Sequence, residues 1–216
     1  MPQRNPMIPP MGRRAAIALS ASALIGASLG ATPAEATTYS DSGTTVQTTA
    51  DYRVPAVTLR DRFDHPVRLD RFLAAGRPVV MEFFFTSCPT ICGLQNATLA
   101  VAQRQFVKIS PNMLVVSISI DPAFDTPARI RAYAKPFQPL PNWHLLTGRP
   151  SAVNQVLSAF DATYPGGNKY LHEPLIYIRP ATGNTWRRIN GLLDSHQLVA
   201  AYRDVLSSAG MTASAR

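Results

Sequence analysis

The sequence predicts an α/β fold, a single domain with a central mixed sheet flanked by helices. Three observations point there. The near-continuous apolar runs Val79–Phe85 and Leu114–Ile120 suit strands covered on both faces of a sheet. Helix-like stretches alternate with these runs, as in strand–helix–strand units. A chain of 216 residues with 46% apolar and 16% charged side chains can bury one sizeable core, which excludes disorder throughout.

Residues 1–36 carry the grammar of an export signal. Arg4, Arg13 and Arg14 come first without an acid, an apolar run rich in Ala and Ser covers 15–31, and Ala34-Glu35-Ala36 supplies a cleavage site. The run is short for a membrane span and is punctuated by serines. Cleavage is therefore preferred, and an uncleaved anchor through residues 15–31, with the membrane association it would bring, is the alternative. Residues 37–50 are polar, Thr-rich and without periodicity, and read as a linker. The domain then occupies residues 51–210.

Within it, Ala56–Leu59 reads as a short strand, Arg62–Pro66 as a turn, and Val67–Leu73 as a strand running into a short helix. The buried strand Val79–Phe85 is followed by a helix over Ile91–Val107, with Leu94, Ala97, Leu99, Ala100 and Val101 as its apolar positions. Leu114–Ile120 is the next buried strand. Asp125-Thr126-Pro127 then opens a helix over Ala128–Ala134 with a capping side chain and an early proline. Trp143–Leu146 is a strand and Ser151–Phe160 a helix. Leu175–Ile178 turns at Pro180–Gly183 into a partner strand ending near Ile189, and Ser195–Ser208 closes the chain as a helix.

Composition excludes several function classes. Two cysteines rule out a multi-disulfide scaffold and a four-cysteine zinc site. The net charge is +8, but the arginines are scattered and no basic run is interleaved with aromatics, so nucleic acid is not an expected partner. A cationic surface suits anionic lipid or an acidic partner instead. Export would place the thiols in an oxidising compartment, where they pair unless kept reduced.

The two cysteines carry the chemistry. Cys88 and Cys92 stand in Thr86-Ser87-Cys88-Pro89-Thr90-Ile91-Cys92-Gly93, at the C-terminal end of a buried strand, where α/β sheets bind ligands. A strand of three phenylalanines emptying into a cysteine-containing turn and a helix narrows the class to a thioredoxin-like arrangement. Positions i and i+4 share one helix face, so the sulfurs can converge, and backbone N–H groups at a helix start favour the thiolate. The pair is then a soft-metal chelate or a dithiol/disulfide couple, catalytic if redox-active. Two inert cysteines are the bland alternative. Among the histidines, His65 falls in a turn, His144 in a strand and His196 on the last helix, all without evident chemistry. His172 differs because it immediately precedes a strand, in the loop that a thioredoxin-like fold turns toward the cysteines. Two thiolates and an imidazole suit Cu(I), and accept Cu(II) with one more ligand.

With these residues together, the sequence resembles the Sco/SenC family of copper-binding, thioredoxin-fold proteins. The resemblance rests on FFFTSCPTICG at Phe83–Gly93, SISIDPAFDTPARIRAYAKPF at Ser117–Phe137, WHLLTG at Trp143–Gly148, and His172 ahead of LIYIRPATG. It implies copper, as Cu(I) or Cu(II), held by Cys88, Cys92 and His172, in a periplasmic or otherwise exported protein. It also implies a metallochaperone role in assembling the dinuclear copper site of cytochrome c oxidase, by delivering copper to the receiving oxidase subunit or reducing its cysteines. A thiol–disulfide oxidoreductase acting on a partner's cysteines, in which His172 need not touch a metal, and a non-catalytic redox sensor remain open. Asp125 is expected to cap a helix, while Asp121 is either a turn residue or a group oriented toward the metal. Glu173-Pro174 stands where thioredoxins carry a cis-proline, and a cis bond there would aim backbone at the dithiol.

Overall fold

The computed structural model describes residues 45–74 and 76–210. The export signal, and residues 37–44 of the expected linker, lie outside the described residues.

The expected architecture is present as one eight-stranded mixed sheet flanked by helices. In chain order the elements are β1 (Val46–Asp51), β2 (Thr58–Asp61), β3 (Pro66–Arg68), α1 (Leu69–Leu73), β4 (Val79–Phe84), α2 (Ile91–Ile109), β5 (Leu114–Ser119), α3 (Pro127–Ala134), β6 (Trp143–Thr147), α4 (Pro150–Ala159), β7 (Leu175–Arg179), β8 (Thr185–Asn190) and α5 (Ser195–Ser208). The strand order is β1-β8-β7-β4-β5-β6-β2-β3. β4, β5 and β6 are parallel, and every other pairing is antiparallel.

All six residues of β4 and all six of β5 are buried, as strands covered on both faces must be. Alternation sorts their side chains. Phe83 faces an aromatic cluster in which Tyr177 meets Phe160 edge-on at 5.3 Å, Phe160 meets Trp186 at 5.1 Å, and Tyr52 stacks on Phe160 at 5.2 Å. Phe84 points the other way and stacks on Tyr133 of α3 at 5.4 Å. On that side α2 packs against α5, with Phe106 and Tyr202 at 4.7 Å.

Three expectations need correction. Residues 46–50, read as linker, form β1 with Asp51. Their side chains are largely exposed, so no apolar alternation marks them, and they are held by the ladder to β8 from Val46↔Asn190 to Asp51↔Thr185. Leu94 and Val101 of α2 are exposed, while Gln95, Asn96 and Gln103 are buried in their place. Each of these amides has internal work: Gln95 reaches Glu82, Asn96 donates to the Cys92 carbonyl and to Tyr133, and Gln103 accepts from the Leu140 N–H. Finally, the described residues contain no cis peptide bond, so Glu173–Pro174 is trans, and Glu173 instead faces Arg188 at 3.5 Å.

Candidate metal centre

β4 empties into the loop Phe85–Thr90, and α2 begins at Ile91. The helix cap, Thr90, makes no side-chain capping bond, so backbone N–H groups of the first turn are open to other acceptors. Cys88 sits in the turn, partly exposed, its N–H donating to the Phe85 carbonyl at 3.2 Å. Cys92 is the second residue of α2 and is buried, so the two cysteines do not share a helix face as the spacing suggested. Both are free thiols. Their environments push them apart. Partial burial raises the Cys88 pKa, but the Cys92 thiol, the Thr90 and Cys92 backbone N–H groups and the Thr90 hydroxyl outweigh it, leaving Cys88 below the ordinary thiol range. Burial drives Cys92 far upward, helped by its neighbour Cys88 and, more weakly, by Glu82. The pair is therefore an accessible, readily ionised sulfur beside a buried, protonated one.

Asp125 fixes the loop between strand and dithiol. It is fully buried and accepts hydrogen bonds from the Thr86 N–H at 3.0 Å, the Thr86 hydroxyl at 2.5 Å and the Ser119 hydroxyl at 2.6 Å. The helix cap expected of it belongs to Thr126, whose hydroxyl accepts from Arg129. Asp121 is committed elsewhere as well, in an ion pair with Lys169.

That ion pair belongs to the histidine loop. Lys169–Leu171 form a single 3-10 turn, with Tyr170 packed edge-on against Phe85 at 5.7 Å and the Lys169 ammonium 5.3 Å from the same ring. His172 follows in extended backbone, φ −65° and ψ 132°. β7 runs antiparallel to β4, so the start of β7, which His172 precedes, lies at the end of the sheet where β4 gives way to the cysteine turn. The imidazole is 6% exposed, and neither ring nitrogen has a partner. Burial lowers its pKa to about 4, against a weak opposing pull from Glu173, so it is neutral at pH 7.

The dithiol turn and the loop bearing His172 thus lie at the same end of the sheet. The fold does not close them into a ring: among the described residues, no three His, Cys, Asp or Glu side chains already stand gathered as a metal site. The other histidines are elsewhere. His65 is exposed beside Asp61, His196 is exposed on α5, and His144 packs half-buried against Phe72 at 4.9 Å.

A buried acid escaped the sequence reading. Glu82 is fully buried inside β4, its carboxyl oxygens taking Gln95 Nε2 at 2.5 Å and the Ser117 hydroxyl at 2.7 Å. Burial raises its pKa to about 7. The available signal was a lone acid in an otherwise apolar run. The rim of the site is apolar and open: Phe124, Tyr170 and Leu171 are exposed at this end, as is Leu94 just past Cys92.

Known proteins share this fold. Residues 47–207 match the family described as SCO1/SenC. The SCO1 protein homolog of Bacillus subtilis is 25% identical over 172 residues, covering 76% of this chain and 85% of its own. Arabidopsis thaliana ScoI, whose crystal structure has copper bound, superposes with a TM-score of 0.61 at 24% identity, over 72% of this chain and 99% of its own. BsSco, described as having a disulfide switch and as a member of the Sco family of cytochrome c oxidase assembly proteins, superposes at 0.60 and 24% identity, over 77% and 96%.

Proposed function

Because the chain belongs to the SCO1/SenC family, we propose that it is an exported copper chaperone, in which Cys88, Cys92 and His172 take one copper ion as cargo and pass it to the oxidase subunit that carries the dinuclear copper site. The observation that carries this reading is the state of His172, a buried neutral imidazole with both nitrogens unpartnered. Two buried polar atoms without partners disfavour the folded state unless a ligand meets one of them. A soft cation bound by two sulfurs in the adjacent turn is such a ligand.

The chain's own groups divide the work. Cys88 is the entry point, partly exposed and biased toward the thiolate. Cys92 gives up its proton as the cation arrives, because thiolate and not thiol is the ligand. His172 needs no deprotonation at neutral pH. Thr86, held by Asp125, keeps the cysteine turn in place during exchange, and the exposed Phe124, Tyr170 and Leu171 offer a receiving protein an apolar surface beside the cargo. Copper in Arabidopsis ScoI and the assembly role of BsSco's family support the cargo and the destination. Export is supported by the basic, apolar and Ala-x-Ala sequence of residues 1–36.

The asymmetry of the thiols favours a second reading as a thiol–disulfide oxidoreductase. Cys88 thiolate attacks a partner's disulfide, forming a mixed disulfide and releasing one partner thiolate. Cys92 then displaces the second, leaving a Cys88–Cys92 disulfide and a partner reduced by two electrons. Anaerobic titration of the reduced chain with Cu(I) and Cu(II) separates the two. The chaperone reading expects one copper per chain, with binding lost in Cys88→Ser and Cys92→Ser and weakened at least tenfold in His172→Ala. Absence of binding, or binding indifferent to His172→Ala, overturns it. Disulfide reduction that survives His172→Ala but not Cys88→Ser would establish the second.

A further inference from the structure

At the pole opposite the dithiol, where β4 and β6 begin rather than end, the protein carries a shallow cavity of about 510 Å³, wide open to solvent and lined by residues that include Asp61, Arg68, Arg71, Phe72, Arg77 and His144. We propose that this cavity is a binding site for a phosphate-bearing ligand. It goes beyond the copper reading and shares no residue with it.

The argument starts from charge that the fold leaves unanswered. Arg68 is matched by Asp70 at 2.6 Å, and Asp61 is occupied by the Phe63 and His65 N–H groups, both at 2.8 Å, and by the His65 ring at 3.2 Å. Among the described residues, Arg71 and Arg77 have no carboxylate partner. Nε of Arg77 is buried without a hydrogen bond, and its guanidinium lies 5.5 Å from the centre of the Phe72 ring. The His144 ring meets the same phenyl edge-on at 4.9 Å, so Phe72 is a floor with a guanidinium and an imidazole on its flanks. Besides burial, the charges that reach His144 are Arg62 and Arg77, which lower its pKa, and Asp61, which opposes them. Gathering guanidiniums around a cavity is unfavourable unless an anion joins them. Planar forks match the geometry of phosphate oxygens, and the Phe72 wall gives room for the organic body of an ester.

The test uses the reduced, metal-free full chain and two probes. One is inorganic phosphate, titrated against sodium chloride at matched ionic strength while the His144 ring resonances are followed by NMR. The other is phosphatidylcholine vesicles with and without phosphatidylglycerol, followed by co-sedimentation. Saturable binding of either probe, weakened at least tenfold in Arg71→Ser and in Arg77→Gln, supports the site. Binding of phosphate alone identifies a soluble ester as the ligand, and binding of phosphatidylglycerol vesicles alone identifies a lipid headgroup. Arg71 is exposed on α1, so Arg71→Ser keeps the test valid should Arg77→Gln fail to fold. In phosphate-binding protein the His144 pKa rises, because a bound anion offsets the guanidiniums. No binding of either probe, equal responses to chloride, or affinities unchanged in Arg71→Ser overturns the proposal.

Discussion

Replacing Glu82 by Gln should make the protein more stable above pH 7 and abolish one component of its pH dependence. The Glu82 pKa is held at about 7 in the fold against 4.5 as its ordinary value. Between those two pH values the folded protein keeps a proton that the unfolded chain has released, so stability falls as pH rises through the window, and the loss is complete above it. At about 1.4 kcal/mol for each tenfold, the full effect is about 3 kcal/mol. The variant keeps the packing and can keep the hydrogen bonds. Gln95 Oε1 is buried without a partner, and turning that amide over lets it accept from a Gln at position 82 while Ser117 still donates to the other atom. Urea unfolding of reduced, metal-free protein at closely spaced pH values from 4.5 to 8.5 gives the difference in free energy between variant and wild type, in which the other titrating groups cancel. That difference should climb by about 3 kcal/mol across the window. A flat difference would refute the assignment of a buried, proton-holding carboxyl.

Other outcomes follow from the same site. His172→Leu removes two unpartnered nitrogens, so the metal-free variant should match or exceed wild type in urea by about 1–2 kcal/mol. Its advantage should widen as pH falls from 6.5 toward 4, where unfolded wild-type chain binds a proton the fold excludes. Iodoacetamide should label Cys88 in the folded, reduced protein roughly tenfold faster than Cys92, as read by peptide mass mapping. Equal labelling would contradict the asymmetry of the pair. Asp125→Asn replaces an oxygen facing two donors with an amide nitrogen, and should cost about 1–3 kcal/mol in urea while altering the Cys88 labelling rate.

The legible parts of the fold were those in which a local pattern and a tertiary demand coincide. The run Val79–Phe85 had to be buried on both faces, and its exit into a turn with Cys88, ahead of a helix with Cys92, placed the dithiol correctly from sequence. β1 was illegible because an exposed edge strand is held by main-chain bonds to β8, and nothing in Val46–Asp51 announces its partner. The inner face of α2 was misjudged for a related reason: Gln95, Asn96 and Gln103 are polar in sequence, and each meets a partner distant along the chain, in Glu82, Tyr133 and the Leu140 N–H. His172 was singled out by its place before a strand, and the structure does set it just ahead of β7. That both its nitrogens go unpartnered is a property of the packed loop, and no local pattern encodes it.

The fastening between Lys169 and Asp121 holds the loop that leads into His172, the imidazole proposed to take copper, and is partly wet. Small ions therefore compete with it, and the loop bearing the imidazole is tied down by an electrostatic latch that dissolved salt loosens. Loading should accordingly quicken with ionic strength, while alkylation of the sulfurs, which needs no movement of that loop, keeps its pace.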